Sequence, residues 1–301
     1  MKRWLKKILL PKNKLIILNF HQVSEGFDPA YNHPYIWSSF NFFKEQLDYL
    51  VHNHGVSKLS DAIAELRAGT LQGTRICLTF DDGDKTMKDC VVPYLTEKRI
   101  PATFFLNSAY PQERKGYWFN EYQYAKNKAT RSLTSQIHTA VQQVRLTDDP
   151  NEYASLIDQL SVLETFIEEE NPFYCLKAFW NDIDETLFEI GLHGHQHLRF
   201  SMLDHQQKME NILKNKEFLQ DLPCYKPYFA LPHGQPEDWD IESLELSRKE
   251  GLICFLAKGG YNTNFNDGVL MRFSVDNVPL NQLFQRFSPF PSVYRKNNGL
   301  I

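Results

Sequence analysis

The 301-residue sequence predicts an α/β fold on a parallel sheet, and three observations carry that expectation. Short β-rich runs alternate with longer amphipathic ones, and strand–helix alternation is how parallel strands are joined. With 42% hydrophobic and 23% charged residues the chain can bury a full core, and α/β barrels commonly use this much sequence as one domain. Finally, chemistry-bearing side chains stand where apolar runs stop, as in folds whose sites gather at the C-terminal ends of the strands.

The elements run in order. Leu15-Ile16-Ile17-Leu18-Asn19-Phe20 reads as the first strand and ends at His21. Phe42 to Asn53 is amphipathic, Arg75 to Phe80 is a second strand, Met87 to Lys98 a helix and Ala102 to Leu106 a third strand. From about Gln112 to Glu185 the pattern changes to stretches of helical period, Leu133 to Val144 and Glu152 to Glu169, separated by Asp148-Asp149-Pro150. This is a helical insertion, placed to roof a site because it ends just before a cluster of histidines. Its aromatic entry, with Trp118 inside Tyr117-Trp118-Phe119-Asn120-Glu121-Tyr122, offers a stacking wall for pyranose faces or a core for the insertion itself.

Thr79-Phe80-Asp81-Asp82-Gly83 places two adjacent carboxylates at the end of the second strand. Such a pair can divide labour, one binding a metal while the other serves as a base; Asp-Asp-Gly is also an ordinary turn sequence. Further on, Gly191-Leu192-His193-Gly194-His195-Gln196-His197 packs three of the ten histidines into five positions. A carboxylate with two histidines is a common zinc set that leaves one coordination position open. His193, His195 and His197 would share one face of a strand, whereas His193 and His197 alone share a face of a helical turn. Spacing leaves both arrangements open.

On these segments the chain resembles the NodB-like polysaccharide deacetylases of carbohydrate esterase family 4, whose hallmarks are Thr-Phe-Asp-Asp-Gly and a later His-x-x-x-His. Ile100-Pro101-Ala102-Thr103-Phe104-Phe105 is similar to that family's second barrel strand, and Phe229-Ala230-Leu231-Pro232-His233-Gly234 to its third motif. The likeness runs from about Leu15 to about Leu283 around the insertion. It implies a distorted (β/α) barrel, Asp81 as catalytic base, Asp82, His193 and His197 as ligands of a divalent metal, and His195 outside the ligand set. Zinc is the expected ion, although nickel, cobalt or copper also suits such donors. The family's oxyanion-binding N–H maps to His233, with Pro232 and Gly234 fixing the turn.

Two departures bear on mechanism. Ala230 stands where many members carry an arginine that holds the base, and Arg272 in Leu270-Met271-Arg272-Phe273 is the candidate replacement; some members likewise read Phe-Ala-x-Pro-x-Gly. The family's late Leu-x-His motif is missing, since no histidine follows His233. His21, in Phe20-His21-Gln22-Val23, resembles the Tyr-His-x-Val opening of many bacterial members and is the first candidate for the general acid, with His233 second. Asp276-Asn277 resembles a segment near the family's site and is assigned a positioning role.

Composition narrows the partners. A net charge of −4 and a pI near 6.2 argue against nucleic acid. Cys77, Cys90, Cys175, Cys224 and Cys254 are scattered and odd in number, which suits a reducing compartment. Segment 1–14 carries Lys2, Arg3, Lys6, Lys7, Lys12 and Lys14 among apolar residues, with too short an apolar run for a signal peptide or a spanning helix. It suits weak peripheral contact with an anionic leaflet, or simply a solvated terminus. The expectation is a cytoplasmic enzyme, at most peripheral at the inner membrane, comprising this segment and a catalytic domain over 15–301. It would remove an N-acyl group from an amino sugar of a bacterial envelope glycan, or from a lipid-linked or nucleotide-linked precursor. A deformylase or other amide hydrolase on the same scaffold, and a silent glycan-binding protein, are the alternatives.

Overall fold

The computed structural model describes residues 12–28, 32–113, 139, 143–144, 146–161, 174–265, 267–276 and 278. Positions 1–11 of the basic segment, Trp118 with its aromatic neighbours, nearly all of Leu133 to Val144, the second half of Glu152 to Glu169, and Asn277 lie outside these residues.

Seven parallel strands close into a barrel in the order β1 (Lys14–Phe20), β4 (Thr74–Phe80), β5 (Ala102–Leu106), β6 (Phe188–Leu192), β7 (Tyr225–Ala230), β8 (Ile253–Leu256) and β9 (Val269–Ser274), with β9 pairing back onto β1. Two short strands, β2 (Gln22–Ser24) and β3 (Trp37–Ser39), form a separate pair beyond the end of β1. The α-helices among the described residues are α1 (Phe40–Asn53), α2 (Leu59–Ala68), α3 (Val92–Lys98), α4 (Ala109–Glu113), α5 (Pro150–Ser161), α6 (Lys177–Asn181), α7 (His205–Leu219) and α8 (Ile241–Lys249). The expected strands Leu15 to Phe20, Arg75 to Phe80 and Ala102 to Leu106 and the amphipathic run Phe42 to Asn53 fall on β1, β4, β5 and α1, with one refinement. Met87 to Lys98 is split into a π turn at Met87–Val91 and then α3, where Pro93 sits in the first helical turn and cannot donate to the preceding one.

Local chemistry sets the ends. Ser39 caps α1 by accepting from Phe42 N, Asp204 and Gln207 form a reciprocal capping box on α7, and Asp240 caps α8. Asp148-Asp149-Pro150 separates helical stretches as expected, and Pro150 itself opens α5, where its missing N–H costs nothing. Helix α2 has no side-chain cap of its own. Glu189 of β6 reaches across to accept from Ser60 N at 3.3 Å.

The strand period of two divides inside from outside. Ile16, Leu18 and Phe20 pack outward against helices, while Leu15 and Ile17 join Cys77, Phe105, Tyr228, Phe255 and Leu270 in a second cluster with Leu59, Ala62, Ile63 and Leu66 of α2. Phe105 and Phe255 rings lie 5.1 Å apart and Tyr228 is 5.4 Å from Phe255. Gly191 permits this layer, since a Cβ there would meet the Phe105 ring at 2.8 Å and Tyr228 Cβ at 2.9 Å. Above it the side chains turn polar: Asn19, Thr79 and Arg272 are buried, and the Arg272 guanidinium lies 5.0 Å over the Phe105 ring. Register then sets the site. Phe20 pairs with Phe80 and Leu106 with Leu192, so His21 and Asp81 leave neighbouring strands at one level, as do Asn107 and His193.

Candidate active site

Asp81 comes directly after β4 and is buried, with its backbone N–H donating to Phe20 O at 3.0 Å. Arg272 grips its carboxylate with two bonds, Nη1 to Oδ1 at 2.6 Å and Nη2 to Oδ2 at 2.8 Å, and Asn19 Nδ2 adds a third at 2.9 Å. Asn19 Oδ1 in turn accepts from Arg272 Nη1 at 2.8 Å and from Thr79 Oγ1 at 3.0 Å. Burial alone would push the Asp81 carboxyl up, but the Arg272 charge, with His193 and His21, holds it well below the usual carboxylate range. The group is therefore a carboxylate, fixed in orientation.

One residue on, Asp82 takes a positive φ of 78°, and Gly83 one of 73°. That reversal directs Asp82 toward His193 and His197, whose Nε2 atoms each lie 3.4 Å from its Oδ1. The three buried residues bring their ligand atoms within 4.8 Å of one another. His193 Nδ1 donates to the Ala230 carbonyl at 2.8 Å, which fixes the tautomer and leaves the Nε2 lone pair for the cluster. Nε2 itself is buried without a hydrogen-bond partner among the described residues. Burial holds His197 well below the usual histidine range despite Asp82, which favours its neutral imidazole. One carboxylate and two imidazoles form a metal-binding cluster whose donors fit zinc. Asp81 Oδ2 stands 3.7 Å from His193 Nε2, beside the cluster.

The histidine segment is neither strand nor helix. It is a loop beyond β6 in which Gly194 (φ 76°) and His197 (φ 55°) both adopt left-handed conformations. His195 is outside the cluster and contacts Ser108 Oγ through Nδ1 at 2.9 Å. Side chains that belong to none of the sequence motifs hold this loop. Asn215 Oδ1 accepts from His193 N at 3.0 Å, Asn211 Oδ1 from Gln196 N at 3.1 Å, and Asn107 Nδ2 donates to the carbonyls of His193 and Gly194. Asn211 and Asn215 are spaced by one turn on α7, a periodic signal visible in the sequence.

His21 meets Asp276 twice, with its backbone N–H donating to Oδ1 at 2.9 Å and Nδ1–H to Oδ2 at 2.7 Å. Nε2 lies 3.8 Å from Asp81 Oδ2. Burial would lower this imidazole, but Asp276, then Asp82 and Asp81, raise it to about 9. His233 is also left-handed (φ 60°), and its ring centre lies 4.6 Å from that of His197. Gly234 comes next at φ 73° with no room for a Cβ, which would stand 2.7 Å from Ala257 N. Pro232 abuts the loop, 3.3 Å from where a Cβ on Gly194 would sit. Among the proposed residues with a described position, all lie around one end of the barrel.

Comparison with known proteins places this geometry. The chain covers 92% of its length on 98% of the structure of IcaB from Ammonifex degensii, at 18% identity and a TM-score of 0.55. It covers 93% on all of the Streptococcus pyogenes deacetylase PplD in complex with acetate (14%, TM-score 0.59), and 91% on all of a de-N-acetylase from Aggregatibacter actinomycetemcomitans (14%, 0.59). At these identities the likeness is one of fold. No protein of curated function matches the chain. Residues 68–252, more than half of the sequence and including Asp81, Asp82, His193, His197 and His233, match the family model described as polysaccharide deacetylase. The chain belongs to the polysaccharide deacetylase family.

Proposed function

We propose that the chain is a metal-dependent amide hydrolase that removes the N-acetyl group from an amino sugar of an envelope glycan. The observation that carries this reading is Asp81, an ionised, buried carboxylate locked by Arg272 beside a three-residue metal cluster. A pure glycan binder has no use for a positioned base there. The similar structures, a deacetylase and a de-N-acetylase among them, support the same chemistry.

Asp82, His193 and His197 would hold the ion. When bound, it would lower the pKa of a coordinated water and polarise the acyl carbonyl. Asp81 accepts the proton of the attacking water as its oxygen bonds to the acyl carbon. The backbone N–H of His233, in the left-handed turn beside Pro232 and Gly234, is the donor assigned to the negative oxygen that develops. His21, held as imidazolium by Asp276, gives its proton to the amine as the C–N bond breaks. Water and amide thus yield acetic acid and amine, with Asp81 having gained one proton and His21 having lost one; acetate forms as the acid ionises, and exchange with solvent resets both groups. His233 packs edge-on against the ligand His197, whereas His21 has the Asp276 carboxylate to keep it charged, so His21 is the stronger candidate for the acid.

A finer reading assigns a lipid-linked or nucleotide-linked precursor in the cytoplasm. It is supported by the five free cysteines, four of them buried, which suit a reducing compartment. No helix among the described residues is long and apolar enough to cross a membrane. Metal analysis of the purified protein, combined with assays of acetate and formate release from N-acylated amino sugars, oligomers and linked precursors, tests the function. Zinc near one equivalent with acetate release is the expected result. Formate release would favour a deformylase, and bound glycan without release of either acid would favour a silent binder.

A further inference from the structure

Outside the groups assigned to metal and substrate, one buried charge joins three parts of the catalytic face. Arg199 lies two residues beyond the ligand His197. Its Nη1 donates to the Thr147 carbonyl at 3.0 Å, its Nη2 to the Glu237 carbonyl at 3.4 Å, and its Nε lies 3.2 Å from Asp238 Oδ1. Its backbone N–H donates to the Tyr153 hydroxyl at 3.0 Å. Thr147 and Tyr153 belong to the insertion, just before and within α5. Glu237 and Asp238 come shortly after Pro232-His233-Gly234, and Asp238 binds back to that loop by accepting from Gln235 N at 2.9 Å. The Asp238 carbonyl also accepts from Ser201 N at 3.0 Å.

We propose that Arg199 is a positioning residue that clamps the insertion onto the His193–His197 loop and the His233 loop, so that docking of α5 and the geometry of the metal ligand His197 are coupled. This rests on the metal site described above. A non-glycine residue in the left-handed region is strained and persists only where its surroundings over-determine it. His197 is such a residue. Asn211 pins the chain on one side of it through Gln196 N, and Arg199 pins the other side through both its backbone and its guanidinium. The chemistry of the side chain fits the task. A guanidinium presents a rigid fork of five donors spread over a plane and so reaches carbonyls and a carboxylate that stand apart, where an ammonium has three donors on one atom.

The test uses the full chain and two readouts that do not depend on turnover: zinc affinity by competition with a chelator, and amide hydrogen exchange along α5. Arg199→Met should weaken zinc binding by about 10–100-fold, the usual cost of losing a group that supports a metal ligand, and should accelerate exchange in α5. Arg199→Lys should recover only part of both. Adding Asp238→Asn to Arg199→Met should cost little more in zinc affinity, because the two act as one unit. If Arg199→Met fails to fold, Tyr153→Phe, which removes only the hydroxyl, should shift both readouts in the same direction by less. Unchanged zinc affinity in Arg199→Lys and Tyr153→Phe, with only a lowered melting temperature, would overturn the proposal. So would weakened zinc binding with unchanged exchange in α5. A chain that binds zinc but releases no acid would count against the proposed function and not against the clamp.

Discussion

Arg272 shows how much one side chain carries. It is fully buried, and its partner Asp81 is ionised, so truncation to Met leaves a carboxylate in the barrel without its counter-charge. Such a loss costs about 3–5 kcal/mol, and chemical denaturation of Arg272→Met should show it. The carboxyl of Asp81 should also rise, moving the acid limb of the activity profile to higher pH. His21 gives a prediction of opposite sign. Its imidazole is raised from 6.5 to about 9, so the stabilisation it draws from Asp276 is present in full below about pH 6.5 and lost as pH rises through about 9. Denaturation of the metal-free protein across that window should show falling stability in the parent and a flatter profile in His21→Ala. In turnover, the same variant should lose more on amides than on activated esters, whose leaving groups need little protonation; equal losses would reduce His21 to a structural role. The carboxylate pair and the histidine cluster were legible because their residue types are rare together, while the choice of His193 and His197 over His195 came only with the family resemblance, and the structure agrees with it. The role of Asn19 was not legible, because inside Leu-Ile-Ile-Leu-Asn-Phe it reads as an ordinary strand residue. The informative signal was a polar side chain at an inward position of an otherwise apolar strand.

At the scale of elements, the groups that act lie just past the strand ends, while residues inside the strands, Arg272 and Asn19 among them, hold the base. Asp81, His193 and His21 each stand immediately after a strand, and the positive φ values at Asp82, His197 and His233 turn the chain back over the barrel mouth. Alternation of apolar runs made β1, β4 and β5 readable almost to the residue. The histidine loop was not, since strand and helix periodicities were the only frames available and the segment obeys neither; Gly194 in its middle was the hint. Gly191 in β6 makes a direct test of the barrel layer. An added methyl group would press on Phe105 and Tyr228, so Gly191→Ala should lower stability by about 1–3 kcal/mol, read as a lower melting temperature. An unchanged melting temperature would mean the layer packs differently.

For the molecule as a whole, the decisive event is closure. The family match spans 68–252, yet His21 comes from before it and Arg272 and Asp276 from after it. They meet Asp81 because β9 pairs with β1, placing Ile17 beside Arg272 and Asn19 beside Ser274. A sequence can suggest that a distant arginine replaces the one missing at Ala230, but only the closed barrel brings it to the base. The metal belongs to the same scale. Removing it with a chelator should abolish turnover and zinc should restore it, while a chelator-insensitive hydrolase would exclude the cluster from catalysis. The central claim, that Asp81 is a base beside a metal cluster, is tested most directly by acetate release from an N-acetylated amino-sugar oligomer by the parent and Asp81→Asn at equal metal occupancy. The expected result is a loss on the order of 10²–10⁴-fold with zinc retained, and near-normal turnover by Asp81→Asn would contradict it.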